Sequence, residues 1–314
     1  MKILITGGCG YKGSVLIPTL LQDGHEILNI DKQWFGNYLK PHKNLKNIKS
    51  DIREFKSQYL EGIDTIIHLA NIANDPAVEL NPILSWEVNV LGSQQIIDKA
   101  KRSNVKQFIF ASSGSVYGIK EEEKVTEDLE LIPISVYNKT KMIAERIFLS
   151  YKDDMKIHCI RPATVCGISP RMRLDVSVNI LTYQALKDRE IQVFGGKQTR
   201  PNIHIKDMAD VYRHFIENAS IPSGCYNAGF ENISIIEIAE KISKKIDTKI
   251  SISKSNDPRS YRQDSTKLLK TGFSPKYSID NAIDEIIENF NKGLLDDKEN
   301  FYTVKWMNKI GLNK

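Results

Sequence analysis

Thr6-Gly7-Gly8-Cys9-Gly10-Tyr11-Lys12-Gly13 is the stretch whose reading decides the fold of this chain. The apolar run Met1-Lys2-Ile3-Leu4-Ile5 before it reads as a short buried strand. Ser14-Val15-Leu16-Ile17-Pro18-Thr19-Leu20-Leu21 after it reads as the first turns of a helix. A strand, a glycine loop and a helix in that order form a pyrophosphate cradle. The glycines let the backbone turn tightly and approach the phosphates, and the helix N-terminus offers unpaired N–H groups with a partial positive charge. Glycine spacing alone is weak evidence, because surface turns are also rich in glycine. A further feature strengthens it: Asp31 lies eighteen residues past Gly13, at the end of a second apolar run, Glu26-Ile27-Leu28-Asn29-Ile30. A carboxylate there binds both hydroxyls of an adenosine ribose and repels a 2′-phosphate, so NAD is predicted over NADP.

Outward from the loop, strand and helix signals alternate through the first half, the mark of a doubly wound parallel sheet. The segment 32–44 reads as loop, followed by a strand Leu45-Lys46-Asn47-Ile48-Lys49. Beyond it Asp51, with Ile52 beside it, either reaches an adenine amino group or is an exposed loop carboxylate. Thr65-Ile66-Ile67-His68-Leu69-Ala70 is apolar enough to be buried on both faces, with His68 a satisfied core histidine. A helix is expected over 81–103, with Asn89 capping a bent turn or bracing the site. Gln107-Phe108-Ile109-Phe110-Ala111 is a further strand. It ends in Ser112-Ser113-Gly114-Ser115-Val116-Tyr117-Gly118, at the sheet edge where ligands gather in such folds. An acidic loop over 121–133 precedes an amphipathic helix over 136–151, and Ile157-His158-Cys159-Ile160 forms a strand ending at Arg161-Pro162.

Past Gly167 the alternation loosens. Helices are expected over 176–188, 208–218, 235–246 and 278–291, with strands at 191–194 and 200–207. Residues 1–165, rejoined by 198–228, are expected to form the nucleotide-binding domain, with 166–197 and 229–314 as a smaller α/β lobe. The aromatic tail at 301–307 reads as docked on the body, or as an oligomer contact.

Composition is that of an ordinary soluble chain: 314 residues, 41% hydrophobic and 26% charged. The net charge of +5 is too small for a nucleic-acid footprint but suits polyanionic small molecules. The four cysteines have no CxxC spacing and no metal-ligand pattern with the six histidines, so reduced thiols and a cytoplasmic location are expected. A strand beginning at Met1 or Lys2 leaves no room for a signal peptide, and no apolar run approaches a membrane span.

Tyr137 and Lys141 stand four residues apart, on one side of one helix. A free tyrosine has a pKa of about 10 and is a poor base at neutral pH. A lysine ammonium one turn away, with the positive charge of an oxidised nicotinamide, is expected to bring that pKa toward neutrality. Ser113 would hydrogen-bond and align the same hydroxyl. Such a pair removes a proton from a substrate hydroxyl while hydride leaves the same carbon.

Taken together, the whole chain resembles the extended short-chain dehydrogenase/reductases, the nucleotide-sugar epimerase/dehydratase group. The matching residues are Gly7-x-x-Gly10-x-x-Gly13, Asp31, the His68-Leu69-Ala70 strand end, Asn89, Ser113 with Val116-Tyr117-Gly118, Tyr137-x-x-x-Lys141, and Arg161-Pro162. The resemblance implies a Rossmann-type α/β fold with a smaller substrate lobe and an NAD cofactor. It implies oxidation at C4 of a sugar carried on a nucleoside diphosphate. Tyr137 would be base, Ser113 its partner, and Lys141 both ribose ligand and pKa depressor. By the same analogy the cofactor is met by the loop from Gly7 to Gly13, including Tyr11 and Lys12, and by Asp31, Asp51, Ile52, Leu69, Ala70 and Asn89. Asn71, Ser113 and Tyr137 would face the sugar, and Asn179, Arg200 and Arg259 the substrate diphosphate. A homodimer or homotetramer is implied, seamed by the helices over 81–103 and 136–151.

The departures are informative. Family dehydratases carry an acidic pair where this chain has Gly114 and Ser115, so dehydration is not expected. Lys12 replaces a usual aliphatic residue and Asn71 a small one. Within the group the chain is similar to bacterial capsule-pathway enzymes that oxidise GDP-D-glycero-α-D-manno-heptose at C4. The alternatives are a UDP-hexose 4-epimerase or, in a different class, a catalytically retired NAD-binding regulatory or scaffold protein. Such retired relatives usually lose the tyrosine or lysine, and both are present here.

Overall fold

Ile3 and Ile5 face one side of their strand and Leu4 the other, the pattern of a strand covered by helices on both faces. In the computed structural model, which describes residues 1–254 and 260–313, this run is β1 (Lys2–Thr6). It is followed by β2 (Glu26–Asp31), β3 (Leu45–Lys49), β4 (Thr65–His68), β5 (Gln107–Ala111) and β6 (Lys156–Pro162). Then come β7 (Thr164–Cys166), β8 (Glu190–Phe194), β9 (Thr199–His204), β10 (Gly224–Ala228), β11 (Glu231–Ser234) and β12 (Lys249–Ser253). Seven of these form one parallel sheet in the order β10-β6-β5-β4-β1-β2-β3. This is the doubly wound α/β architecture expected from the alternation.

The helices of the first half are α1 (Gly13–Gln22), α2 (Asp75–Leu80), α3 (Pro82–Trp86), α4 (Ser93–Arg102) and α5 (Val136–Leu149). Those of the second are α6 (Ser177–Asp188), α7 (Ile205–Glu217), α8 (Ile235–Ser243), α9 (Thr266–Leu269), α10 (Ile279–Asn291) and α11 (Thr303–Lys309). Ile96, Ile97 and Ala100 of α4 with Ala144 and Phe148 of α5 cover Leu4, Ile66 and Phe108 on one face. Leu16, Ile17 and Leu20 of α1 with Met208, Val211 and Phe215 of α7 cover Ile3, Ile5 and Ile109 on the other. Each fully buried Leu, Ile, Val, Met or Phe among them contributes about 1.5–3 kcal/mol. The second lobe has its own core, in which α6, α8 and α10 bury Leu181, Ile238, Ile242 and Ile283 against Ile191 and Val193 of β8.

The expected single helix over 81–103 is corrected. It is α3 and α4 joined by a π-helical stretch, Glu87–Gly92. The cause is Asn89, whose buried amide turns inward to bond both backbone atoms of Ile72, while the Ser93 hydroxyl donates to the Asn89 carbonyl at 2.9 Å. A wider turn lets that side chain and hydroxyl reach inward. Helix α2 was not foreseen. It starts where Asn74 caps the Ala77 N–H at 2.8 Å, with Pro76 in its first turn. Helix α7 begins at Ile205 rather than 208, because the His204 ring accepts from the Lys206 N–H and ends the strand there.

The tail is docked on the body. Trp306 Nε1 donates to the Trp34 carbonyl at 2.6 Å, and Asn300 Nδ2 donates to the Phe35 carbonyl and to the Tyr38 hydroxyl. On its other side the Leu174 N–H donates to the Phe301 carbonyl, and the Thr303 N–H to Asp175 Oδ2 at 2.9 Å. The tail thus ties the loop after β2 to the segment before α6. Among the described residues no helix is long and apolar enough to cross a membrane.

Candidate active site

Strand order reverses between β1 and β4, and in open α/β sheets the crevice beyond such a point receives the ligand. Here the two strand ends nearly touch. A Cβ on Gly7, whose φ is +73°, would lie 2.5 Å from the Ala70 nitrogen, and one on Gly13 would lie 2.4 Å from the Gly8 carbonyl oxygen. Glycine is therefore required at both positions. The resulting cleft holds about 580 Å³. Among the described residues no acceptor meets the backbone N–H of Tyr11, Lys12 or Gly13. These amides face the position a diphosphate takes at a helix start.

Asp31 ends β2 with its carboxylate turned to the cleft, fixed by the Cys9 N–H at 2.9 Å and the Gln33 N–H at 2.6 Å. Burial raises its pKa, and those two donors oppose the rise. Each oxygen keeps a lone pair for a ribose hydroxyl. Asp51 also lines the cleft, but Arg53 holds both its oxygens and Lys32 lies 3.5 Å away. Little of that carboxylate is left for an adenine. Four lining side chains carry buried polar atoms without a partner: both amide atoms of Asn71, Arg171 Nε, Ser177 Oγ and Thr303 Oγ1. Such an atom costs about 1–3 kcal/mol, so these mark where a ligand's polar atoms belong. A glycine cradle, free amides, a carboxylate with acceptor capacity left at the end of β2 and unmet polar atoms together fit NAD.

The candidate reacting groups, Ser113 and Tyr137, line the same cleft. Ser113 ends β5 and caps a short 3₁₀ turn, Gly114–Tyr117. Its Oγ accepts from the Ser115 N–H at 3.2 Å and shares a 2.8 Å hydrogen bond with the Ser115 hydroxyl. Tyr137 lies in the first turn of α5, capped by Ser135 on the Asn138 N–H. Both line the cleft. Burial pushes the Tyr137 phenol up to about 12; Ser113 opposes this, Asp75 adds to it, and Arg173 opposes it. Among the chain's own groups, burial thus works against the expected lowering of the phenol pKa. Desolvation outweighs the neighbouring cations.

Lys141 is also corrected. It is 3% exposed, and its ammonium donates to the Ala111 carbonyl at 2.5 Å, 5.9 Å from the Tyr137 ring centroid. It stands behind the phenol rather than in the cleft, and burial holds its pKa well below the usual lysine range. Asn89, read as a cofactor contact, is fully buried outside the cleft. It bonds Ile72 on one side and the Thr140 hydroxyl at 3.2 Å on the other, so it ties the strand end to the catalytic helix. Asn179, read as a diphosphate ligand, has turned inward. It accepts from the Gly167 N–H and donates to the Tyr11 hydroxyl and the Arg173 carbonyl. Its role here is to hold the loop that carries Arg173. Gly7, Gly10, Tyr11, Lys12, Gly13, Ile52, Leu69, Ala70, Asn71 and Arg200 all line the cleft. Arg259 lies outside the described residues.

Among the lining residues that the sequence reading did not assign to the site are Asp75, Arg171, Arg173, Thr303 and Met307. Asp75 accepts from the Ser135 hydroxyl. Its signal was Asn74-Asp75-Pro76, a helix-start pattern that places a carboxylate beside the sheet edge. Arg173 donates through Nε to Asp175 at 2.7 Å, and Arg171 stacks 4.1 Å from the Phe35 ring centroid.

Compared with known families, residues 3–229 match the one described as the NAD dependent epimerase/dehydratase family. The chain belongs to that family. It is 29% identical to a UDP-glucose 4-epimerase of Lactobacillus helveticus, over 90% of this chain and 95% of the relative. It is 28% identical to UDP-glucuronic acid decarboxylase 1 of Danio rerio, over 97% of this chain and 76% of that one. Among solved structures, the UDP-glucuronic acid 4-epimerase of Bacillus cereus, in complex with UDP-glucuronic acid and NAD, superposes with a TM-score of 0.80. That match has 27% identity over 92% of this chain and 99% of the other. Within the epimerase/dehydratase family this chain carries Gly114 and Ser115 where an acidic pair would stand in a dehydratase, and position 114 is closely walled. A Cβ on Gly114 would already lie 3.2 Å from Gln263 Oε1 and 3.3 Å from the Pro162 carbonyl.

Proposed function

We propose that this chain uses NAD to oxidise the C4 hydroxyl of a nucleoside-diphosphate sugar. The specific reading is a GDP-heptose 4-dehydrogenase serving capsular or surface polysaccharide biosynthesis in the cytoplasm. The observation that carries the reaction class is Ser113 and Tyr137 opening on the same cleft as the glycine loop. Bound at that loop, NAD supplies a hydride acceptor and, while oxidised, a positive charge. Tyr137 takes the proton of the C4 hydroxyl as hydride leaves C4. Ser113 donates to the same oxygen and aligns it. Asp31 would hold the adenosine ribose, and the amides of Tyr11, Lys12 and Gly13 the cofactor diphosphate. Asn71 would meet the sugar, and Arg200 with Arg259 the substrate diphosphate. Lys141 supports Tyr137 from behind through the backbone of β5.

The dehydrogenase reading draws on the departures at Lys12 and Asn71, both of which line the cleft. A UDP-hexose 4-epimerase is the second reading, favoured by likeness to the Lactobacillus enzyme. A panel of UDP-, GDP-, CDP- and dTDP-sugars, incubated without added NAD, separates them. The near-ultraviolet absorbance of NADH and the proton spectrum at C4 would be followed together. Accumulating 4-keto sugar with NADH on the protein supports the dehydrogenase; inverted C4 without lasting absorbance supports the epimerase. Tyr137→Phe should lower the rate about 10²–10⁴-fold while NAD still binds. An unchanged rate would remove Tyr137 as the base, and a wild type that binds NAD but turns over no sugar of the panel would leave a scaffold protein. A homodimer belongs to the same proposal, with Ile83 (75% exposed) and Leu91 (59%) at its seam. Light scattering that finds only monomer at micromolar concentration would remove it.

A further inference from the structure

We propose that Arg171 is a further cofactor-binding residue, its guanidinium taking oxygens of the cofactor diphosphate. The proposal rests on the cleft binding NAD and not on which sugar is oxidised.

Arg171 is 3% exposed and lines the cleft. Among the described residues it has no ion pair, and its Nε has no hydrogen-bond partner. Its one hydrogen bond among them is long, from Nη1 to the Met172 carbonyl at 3.4 Å. Two other cations that line the cleft are matched: Arg173 by Asp175 at 2.7 Å, and Lys32 by Asp51 at 3.5 Å. Arg171 has an aromatic ring instead, the Phe35 centroid lying 4.1 Å from its guanidinium carbon. Stacking occupies the face of a guanidinium and leaves the N–H groups on its edge free to donate. Those donors form a planar fork that matches the oxygens of a phosphate or carboxylate. A charge taken out of water is costly without a partner, so the site calls for an anion.

The hydrogen bonds around Arg171 choose among anions. Two residues before it, Ser169 Oγ donates to the Tyr11 carbonyl at 2.8 Å, and the Tyr11 hydroxyl donates to the Gly167 carbonyl at 2.7 Å. The segment that carries Arg171 is thus bonded to the glycine loop. Phe35 lies four residues past Asp31, in the loop after β2. The tail holds that loop through the Trp34 and Phe35 carbonyls, so the ring under the guanidinium is fixed as well. Arg171 therefore joins the loop that starts α1 to the loop that follows the ribose carboxylate. Between an adenosine ribose and a helix start, the anionic part of a dinucleotide is its diphosphate. The substrate diphosphate falls instead to Arg200, on β9.

The test is calorimetric titration of the full chain with NAD, ADP and adenosine, and separately with UDP and GDP. Arg171→Gln should weaken NAD and ADP roughly ten- to hundredfold, the loss that goes with a hydrogen bond to a charged group. Adenosine, UDP and GDP should bind as before. Arg171→Lys, which keeps the charge without the fork, should fall between. Equal loss of ADP and adenosine assigns Arg171 to the packing of the pocket and overturns the proposal. Loss of UDP or GDP with NAD retained assigns it to the substrate diphosphate and also overturns it. Wild type must itself bind ADP more tightly than adenosine, and equal binding overturns the proposal even if a variant fails to fold. A wild type that binds neither NAD nor ADP removes the cofactor reading and this inference together. Full NAD affinity in Arg171→Gln removes this inference alone.

Discussion

Tyr137 shares its cleft with a carboxylate that resists its ionisation, Asp75, and a guanidinium that assists it, Arg173. This gives opposite predictions for two neutralising changes. Asp75→Asn removes a negative charge, so the tyrosine pKa falls and the acid limb of kcat/KM should move to lower pH. Arg173→Gln removes a positive charge, and the limb should move to higher pH. A pH–rate profile for each variant checks the sign, and shifts in the same direction would refute this electrostatic account. That Ser113, Tyr137 and Asp31 line one cleft was legible because each sits at a fixed offset from a strand end or within a single helix turn. Asp75 and Arg173 were not, because the fold brings them to the phenol from segments far apart in sequence. Asn179 was misread for a related cause. Its residue type suits a phosphate, but the Gly167 N–H, the Arg173 carbonyl and the Tyr11 hydroxyl claim its amide first.

Among the elements, the strands were readable from period alone, since a strand buried on both faces is a short apolar run. The interrupted helix was not readable, because apolar periodicity continues through a wide turn with little change. Its purpose lies in Asn89, which clamps Ile72 and Thr140 together. Asn89→Leu would leave both Ile72 backbone groups unpaired, at a cost of about 1–3 kcal/mol for each. Denaturant unfolding should show that loss, and kcat should fall more than NAD affinity, because Thr140 belongs to the helix of Tyr137 and not to the glycine loop. Helix α5 is fixed to β5 by Phe148, whose ring centroid is 4.7 Å from those of Phe108 and Phe110. Phe148→Ala should cost about 3–5 kcal/mol and loosen the Tyr137 position with it.

For the whole molecule, two buried histidines set an acid limit. His68 lies between the Thr6 and Ser93 hydroxyls, and burial lowers its pKa to about 3; His158, on the Ile221 carbonyl, is lowered to about 4. Unfolded, each binds a proton below about pH 6.5. The unfolded state therefore holds more protons, and stability falls as pH drops from about 6.5 toward those folded values. The loss is about 2 kcal/mol per histidine at roughly pH 5. Urea unfolding at neutral pH and at pH 5 checks it, and a flat profile would show that neither ring stays neutral. The global architecture was legible from alternation. The docked tail was legible only as a surplus of aromatic residues, since nothing in Trp306 names Trp34 as its partner. That docking also orders events in time. Most of the cleft is written into the first half of the chain, yet Thr303 and Met307 form part of its wall. During synthesis, then, the nascent chain presents a cradle open on one side until these residues have cleared the ribosome. A cofactor cleft walled on all sides is thereby completed only once the segment carrying Thr303 and Met307 has been made.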